Sequence, residues 1–218
     1  MKKLFAILCL CLTFASCSDS LDDEFKLNTN SVSLYVQDGH KISSNGTHVH
    51  YESANPFIAT VEDTGYVKAI TIGKTVINIK AKQGTAQLAV EVKPKFHTYK
   101  EPCVDFSKSI STIKTIYGTP DSESSNGDVI MYVYESNPKH FANIYLFDND
   151  RLIASCAIIP AYYGPEALNF LSERYKFIGY KDEQYQYINN TDIKKATMVV
   201  SLSKMSDYDF YQIVYIPA

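Results

Sequence analysis

The spacing of apolar residues follows three regimes along this chain of 218 residues. An unbroken apolar run fills positions 4–14, directly after Met1, Lys2 and Lys3. From 31 to 93 apolar residues recur at every second position, in short runs broken by turn signals. Val32, Leu34 and Val36 precede Asp38-Gly39; 58–61 and 66–70 flank Asp63-Thr64-Gly65; 75–80 and 86–92 are separated by Gly84. Period two marks half-buried strands, and so many short ones predict a compact all-β sandwich over 28–93. Beyond Pro94 a helical spacing enters. Ile110, Ile113, Ile116 and Tyr117 form a stripe that Ser107 can cap and Gly118 and Pro120 stop. A polar loop over 121–128 and strands over 129–134, 143–147 and 152–159 follow. Gly164-Pro165 opens a second helix, striped by Leu168, Leu171, Tyr175 and Ile178 and ending near Gly179. Strands recur over 184–188, 196–201 and 208–216. A helix cannot bury its stripe alone, so 94–218 is expected to be an α+β domain. Two helix-plus-three-strand units would share one antiparallel sheet, with both helices on one face.

The first apolar run is too short to anchor the chain by itself. A basic start, an apolar centre and small residues before Cys17 predict a secretory signal peptide over 1–16. Cys9 and Cys11 fall inside it. Phe14-Ala15-Ser16-Cys17 resembles the lipobox of bacterial lipoproteins, with Phe14 where an aliphatic residue is usual. The resemblance implies cleavage before Cys17 and acylation of its thiol. Several acyl chains, each buried methylene contributing about 0.8 kcal/mol, would hold the protein at the outer membrane. Residues 17–27 include Asp19, Asp22, Asp23 and Glu24 and read as a solvated, acidic tether. Ser18-Asp19-Ser20-Leu21-Asp22-Asp23-Glu24 resembles the export signal of Bacteroidota surface lipoproteins, which implies display at the cell surface; the periplasmic leaflet is the alternative.

Within the alternating region, Tyr51-Glu52-Ser53-Ala54-Asn55-Pro56-Phe57-Ile58-Ala59-Thr60-Val61, then Gly65-Tyr66-Val67-Lys68-Ala69, then Gly73-Lys74-Thr75-Val76-Ile77 resemble the group 2 bacterial immunoglobulin-like (Big) domain in order and spacing. Tyr51 stands where many members have tryptophan. The resemblance implies an immunoglobulin-like sandwich used as a spacer or contact module. His48 and His50, two apart on an expected strand, would share a face and could meet a metal, but no third ligand lies nearby, and no metal site is expected.

The C-terminal half resembles, in element order and one Gly-x-Pro alone, the small repeats of beta-lactamase-inhibitor-like proteins and outer-membrane assembly lipoproteins. Fourteen of the seventeen tyrosines lie there, and the chain has no tryptophan. Tyr132, Tyr134, Tyr185, Tyr187, Tyr211 and Tyr215 alternate along expected strands, so paired members share a face. They would either stack sugars or pack under the helices, and strand propensity favours packing. Cys103 and Cys156 are a candidate disulfide in an exported protein, or buried free thiols.

Charge and motifs narrow the function. A net charge of −3, falling to −5 once Lys2 and Lys3 leave with the signal peptide, gives no basic surface for nucleic acid. No hydrolase elbow, zinc-protease motif, phosphate loop or Cys-x-x-Cys occurs. His97 and His140 share the C-terminal half with Cys103 and Cys156, so counting leaves a Cys–His dyad open, although neither cysteine has a recognisable nucleophile context. The expectation is a non-enzymatic envelope lipoprotein without cofactor. Its Big domain would present the C-terminal domain to a glycan or a protein of host or envelope; a periplasm-facing assembly or inhibitor lipoprotein is the alternative.

Overall fold

The computed structural model describes residues 24–126, 129–135 and 142–218. The signal peptide, Cys17, most of the expected tether and His140 lie outside the described residues.

The N-terminal domain is a two-sheet sandwich. Strands β1 (Ser31–Tyr35), β3 (His50–Ser53), β6 (Gly73–Ala81) and β7 (Gly84–Lys93) form one sheet in the order β1-β7-β6-β3, with β1 parallel to β7. Strands β2 (Gly39–Lys41), β4 (Ala59–Val61) and β5 (Tyr66–Ala69) form the other, in the order β2-β5-β4. Alternation drives every inward position into one core, including Leu34, Val67, Ile77, Ile79, Leu88 and Val90. The core also takes in Phe25, which is 8% exposed although it falls within the stretch read as tether. At Gly65 the backbone needs φ of +79°, and a Cβ there would lie 2.7 Å from Cζ of Tyr51. Gly65→Ala is therefore expected to destabilise this domain by about 1–3 kcal/mol, read as a lower denaturant midpoint at unchanged slope.

The C-terminal domain corrects the expected α+β architecture. It is mostly β: a single antiparallel sheet of eight strands, with two short α-helices among the described residues. Helix α1 (Ile110–Tyr117) is followed by β8 (Ser122–Asn126), β9 (Val129–Glu135), β10 (Ala142–Asp148) and β11 (Arg151–Pro160). Helix α2 (Gly164–Ser172) is followed by β12 (Lys176–Lys181), β13 (Gln184–Ile188), β14 (Met198–Lys204) and β15 (Phe210–Pro217). The order β12-β13-β14-β15-β11-β10-β9-β8 places two four-strand meanders side by side, fused through β11 and β15. The repeat is thus one helix and four strands, not one helix and three. Helix α1 starts at the Ser109 cap, whose side chain accepts from the Thr112 N–H, two residues after the expected Ser107. The second helix ends seven residues before Gly179, because the chain turns at Glu173 and runs into β12. Among the described residues, side chains of α1, α2 and the segment 94–109 join the buried clusters on one face of the sheet. Beneath them lie one cluster around Phe170, Leu171, Ile213 and Tyr215 and another around Ile113, Tyr145 and Phe147.

Candidate functional site

Residues 94–109 contain neither helix nor strand and lie as a strap across the covered face of the sheet. Tyr99 is buried and its hydroxyl meets that of Tyr215 at 2.5 Å; Phe96, Val104 and Phe106 pack beside it. The strap explains what becomes of the six alternating tyrosines. They do share a face, but it is the covered one. Tyr132, Tyr134, Tyr187 and Tyr215 are 7% exposed or less, and Tyr185 and Tyr211 pack against the same core. Packing accounts for Tyr132, Tyr134, Tyr187, Tyr211 and Tyr215, whereas Tyr185 packs on the core and keeps part of its ring exposed.

The strap begins at a clasp between the domains. Glu173, at the C-terminal end of α2, is 4% exposed. The Lys95 N–H donates to both of its carboxylate oxygens at 3.0 Å, and the Phe96 N–H donates to Oε2 at 3.1 Å. The Glu173 carbonyl accepts from the N–H of Ile72, in the sandwich, at 2.7 Å. A carboxylate at a helix C-terminus opposes the helix dipole, so something must offset it there. Arg174 does so: its Nη1 lies 3.8 Å from Glu173 Oε2 and donates to the Phe170 carbonyl at 2.9 Å, while its guanidinium covers the Phe170 ring at 3.5 Å. No motif in the sequence singles out this pair; the only signal is a Glu-Arg at the end of an amphipathic helix.

The other sequence candidates stay apart. Cys103 and Cys156 are free thiols. The Ser155 hydroxyl donates to the Cys103 carbonyl, so Cys103 lies on the covered side, while Cys156, one residue further along β11, points to the other face. Burial pushes the Cys156 thiol from its ordinary value near 9 up to about 12. At pH 7.5 almost none is thiolate, so iodoacetamide is expected to leave Cys156 unmodified in the native protein and to alkylate it on denaturation, as peptide mass mapping would show. His97 is exposed on the strap. His48 takes φ of +54° just before β3 begins at His50, so strand alternation does not align the two histidines. Among the described residues no three His, Cys, Asp or Glu side chains cluster as a metal site.

What the sequence reading missed is an exposed aromatic ledge at the end of the sheet. Phe177 (50% exposed), Tyr180 (59% exposed) and the half-buried Tyr185 lie on β12 and β13. Ring centroids are 4.7 Å apart for Tyr180–Tyr185 and 6.4 Å for Phe177–Tyr185. A groove of about 660 Å³ crosses the outer face of the sandwich, lined by Ser33, Asn55, Lys74 and Glu91 among others.

Residues 26–92 match the profile of the bacterial Ig-like domain (group 2). No curated protein matches the chain. A cysteine-rich secretory protein from Staphylococcus aureus subsp. aureus Mu50 is similar at 12% identity and a TM-score of 0.31, over 56% of this chain and 46% of that one. Domains 4–9 of the surface layer protein SbsC are similar at 12% identity and a TM-score of 0.29, over 89% of this chain and 27% of that one. Domains 5–6 of the same S-layer protein are similar at 13% identity and a TM-score of 0.28, over 90% of this chain and 84% of that one. The chain spans less than half the length of the first two structures.

Proposed function

We propose that this protein is a non-enzymatic, lipid-anchored binding module of the cell surface, in which the Ig-like domain holds the C-terminal domain away from the membrane. The Ig-like match over 26–92 fits a surface or extracellular module. The observation that carries the finer reading is the way the chain enters and leaves the sandwich. It enters at Phe25, whose ring abuts Gly46 and whose Cβ abuts Gly84, at the start of β7. It leaves after Lys93, at the far end of the same ten-residue strand, roughly 30 Å away. There the Glu173 clasp receives it at once, so the second domain is fixed to the pole opposite the tether. Acylation of Cys17 would tether the chain on the Phe25 side of the sandwich, making the sandwich a spacer and the C-terminal domain its head. The acidic residues 19–24 would keep the tether off an anionic surface and the body extended.

Two features favour binding over catalysis. The Cys156 thiol is held protonated, and its neighbours on the open face of the sheet, Ile144 and Val214, are apolar. Brief protease treatment of intact cells tests the display: the body should be cleaved while a periplasmic marker survives. Complete protection of the mature chain would overturn surface display in favour of a periplasm-facing role.

A further inference from the structure

On the reading of the chain as a surface binding module, we propose that the ledge of Phe177, Tyr180 and Tyr185 binds a neutral oligosaccharide, its rings stacking on the C–H faces of successive pyranose units. The ledge is built by a local device. Phe177 and Tyr180 are three residues apart, and on a regular strand they would point to opposite faces. The pairing of β12 with β13 shifts between Phe177 and Gly179, where φ is +152°, and this bulge returns both rings to the side of Tyr185 and Tyr187. A hairpin whose two turn residues, Asp182 and Glu183, both take positive φ holds the strands in register. The rings are thus pre-positioned, and little side-chain freedom is lost on binding.

The size and charge of the patch choose the ligand. A fully buried aromatic contributes about 150–250 Å², so three partly exposed rings offer on the order of 200–300 Å². A stable protein interface needs about 800 Å² on each side. Strand addition is opposed as well, because the bulge and the end lysines, Lys176 and Lys181, blunt the β12 edge. The charges at the rim balance: Lys176 and Lys181 against Asp182 and Glu183, with Lys181 paired to Asp182 at 3.9 Å. A polyanion finds no field there, whereas a neutral sugar finds apolar rings bordered by the Tyr180 hydroxyl and by the carboxylates of the Asp182-Glu183 turn.

The test uses the full mature chain and soluble hexasaccharides of β-1,4-linked glucose and β-1,4-linked mannose, with a sulfated hexasaccharide as control. Binding is read by titration calorimetry and by tyrosine fluorescence, which no tryptophan obscures. At least one neutral hexasaccharide should bind, and Phe177→Ala and Tyr180→Ala should each weaken it tenfold or more while the melting temperature stays unchanged. Binding of neither neutral sugar, retention of affinity in both variants, or preference for the sulfated control would overturn the proposal. So would a dimer, seen by light scattering, that either substitution dissolves. Protease accessibility on cells reads display alone: an exposed protein that ignores sugars overturns the ledge, and a protected protein with ledge-dependent binding overturns the display.

Discussion

Glu173→Ala is expected to split thermal unfolding into two transitions, and the native chain to unfold in one. In the native protein the carboxylate satisfies the N–H groups of Lys95 and Phe96 and faces Arg174, whose side chain is 11% exposed. Removing it orphans two backbone donors and leaves a guanidinium largely desolvated. Breaking a buried ion pair from one side costs about 3–5 kcal/mol. The loss falls on the joint between the domains, because the bonded amides of Lys95 and Phe96 are where the chain leaves the sandwich, and the Ile72 bond to the Glu173 backbone carbonyl is left to hold the joint alone. Calorimetry should resolve the two domains, small-angle scattering should report a larger radius of gyration, and proteolysis should nick the chain near 94–97. Glu173→Gln keeps the shape and one acceptor and should fall between. A single unshifted transition in Glu173→Ala would show that the clasp does not couple the domains.

The second large effect is expected at Tyr215→Ala. Tyr215 is fully buried on β15, pairs with Ser155 of β11 and Val200 of β14, and packs edge-on against Tyr175 at 6.2 Å. It fills the seam between the two meanders, so truncation should cost about 3–5 kcal/mol in denaturant unfolding. Tyr215→Phe removes only the hydroxyl bonded to Tyr99 and should cost about 1 kcal/mol. The pair also sets a pH dependence. Burial, the largest cause for both, holds the Tyr99 and Tyr215 phenols well above the ordinary 10. The unfolded chain releases these protons first, so their contribution is fully present below pH 10 and is lost as pH rises beyond it. Tyr215→Phe should flatten that alkaline decline; an unchanged slope would place its cause elsewhere.

Much of this architecture is legible in the sequence, and the misses have physical causes. Six of the eight C-terminal strands show apolar alternation or apolar runs because the sheet buries at least one of their faces. Strand β8 does not: Ser-Glu-Ser-Ser-Asn is exposed throughout, and an edge strand needs no apolar residue to pair. Strand β12 is hidden for a different reason. Leu168, Leu171, Tyr175 and Ile178 keep helical spacing across the helix end, so the stripe continues on paper where the backbone turns into Lys176–Lys181. For the site, alternation correctly put the paired tyrosines of each strand on a shared face but carried no information about the strap that covers it. The ledge was invisible because a bulge reverses the parity on which alternation depends.

The position of β15 has a consequence for the order of folding. Each meander closes through short local turns, such as Asn149-Asp150 between β10 and β11, and these can form early. The contact that makes one sheet of the two is between β11 and β15, where Ser155 meets Tyr215 sixty positions later. Loop-closure entropy must be overcome before that pairing returns anything, so the middle of the sheet is completed after its flanks. Until then the first meander carries an unpaired inner edge at β11, including the run Ala-Ile-Ile over 157–159. A chain emerging from its amino end therefore holds this apolar strand open until residues 210–215 are available, and a holding chaperone would have its clearest task at that edge.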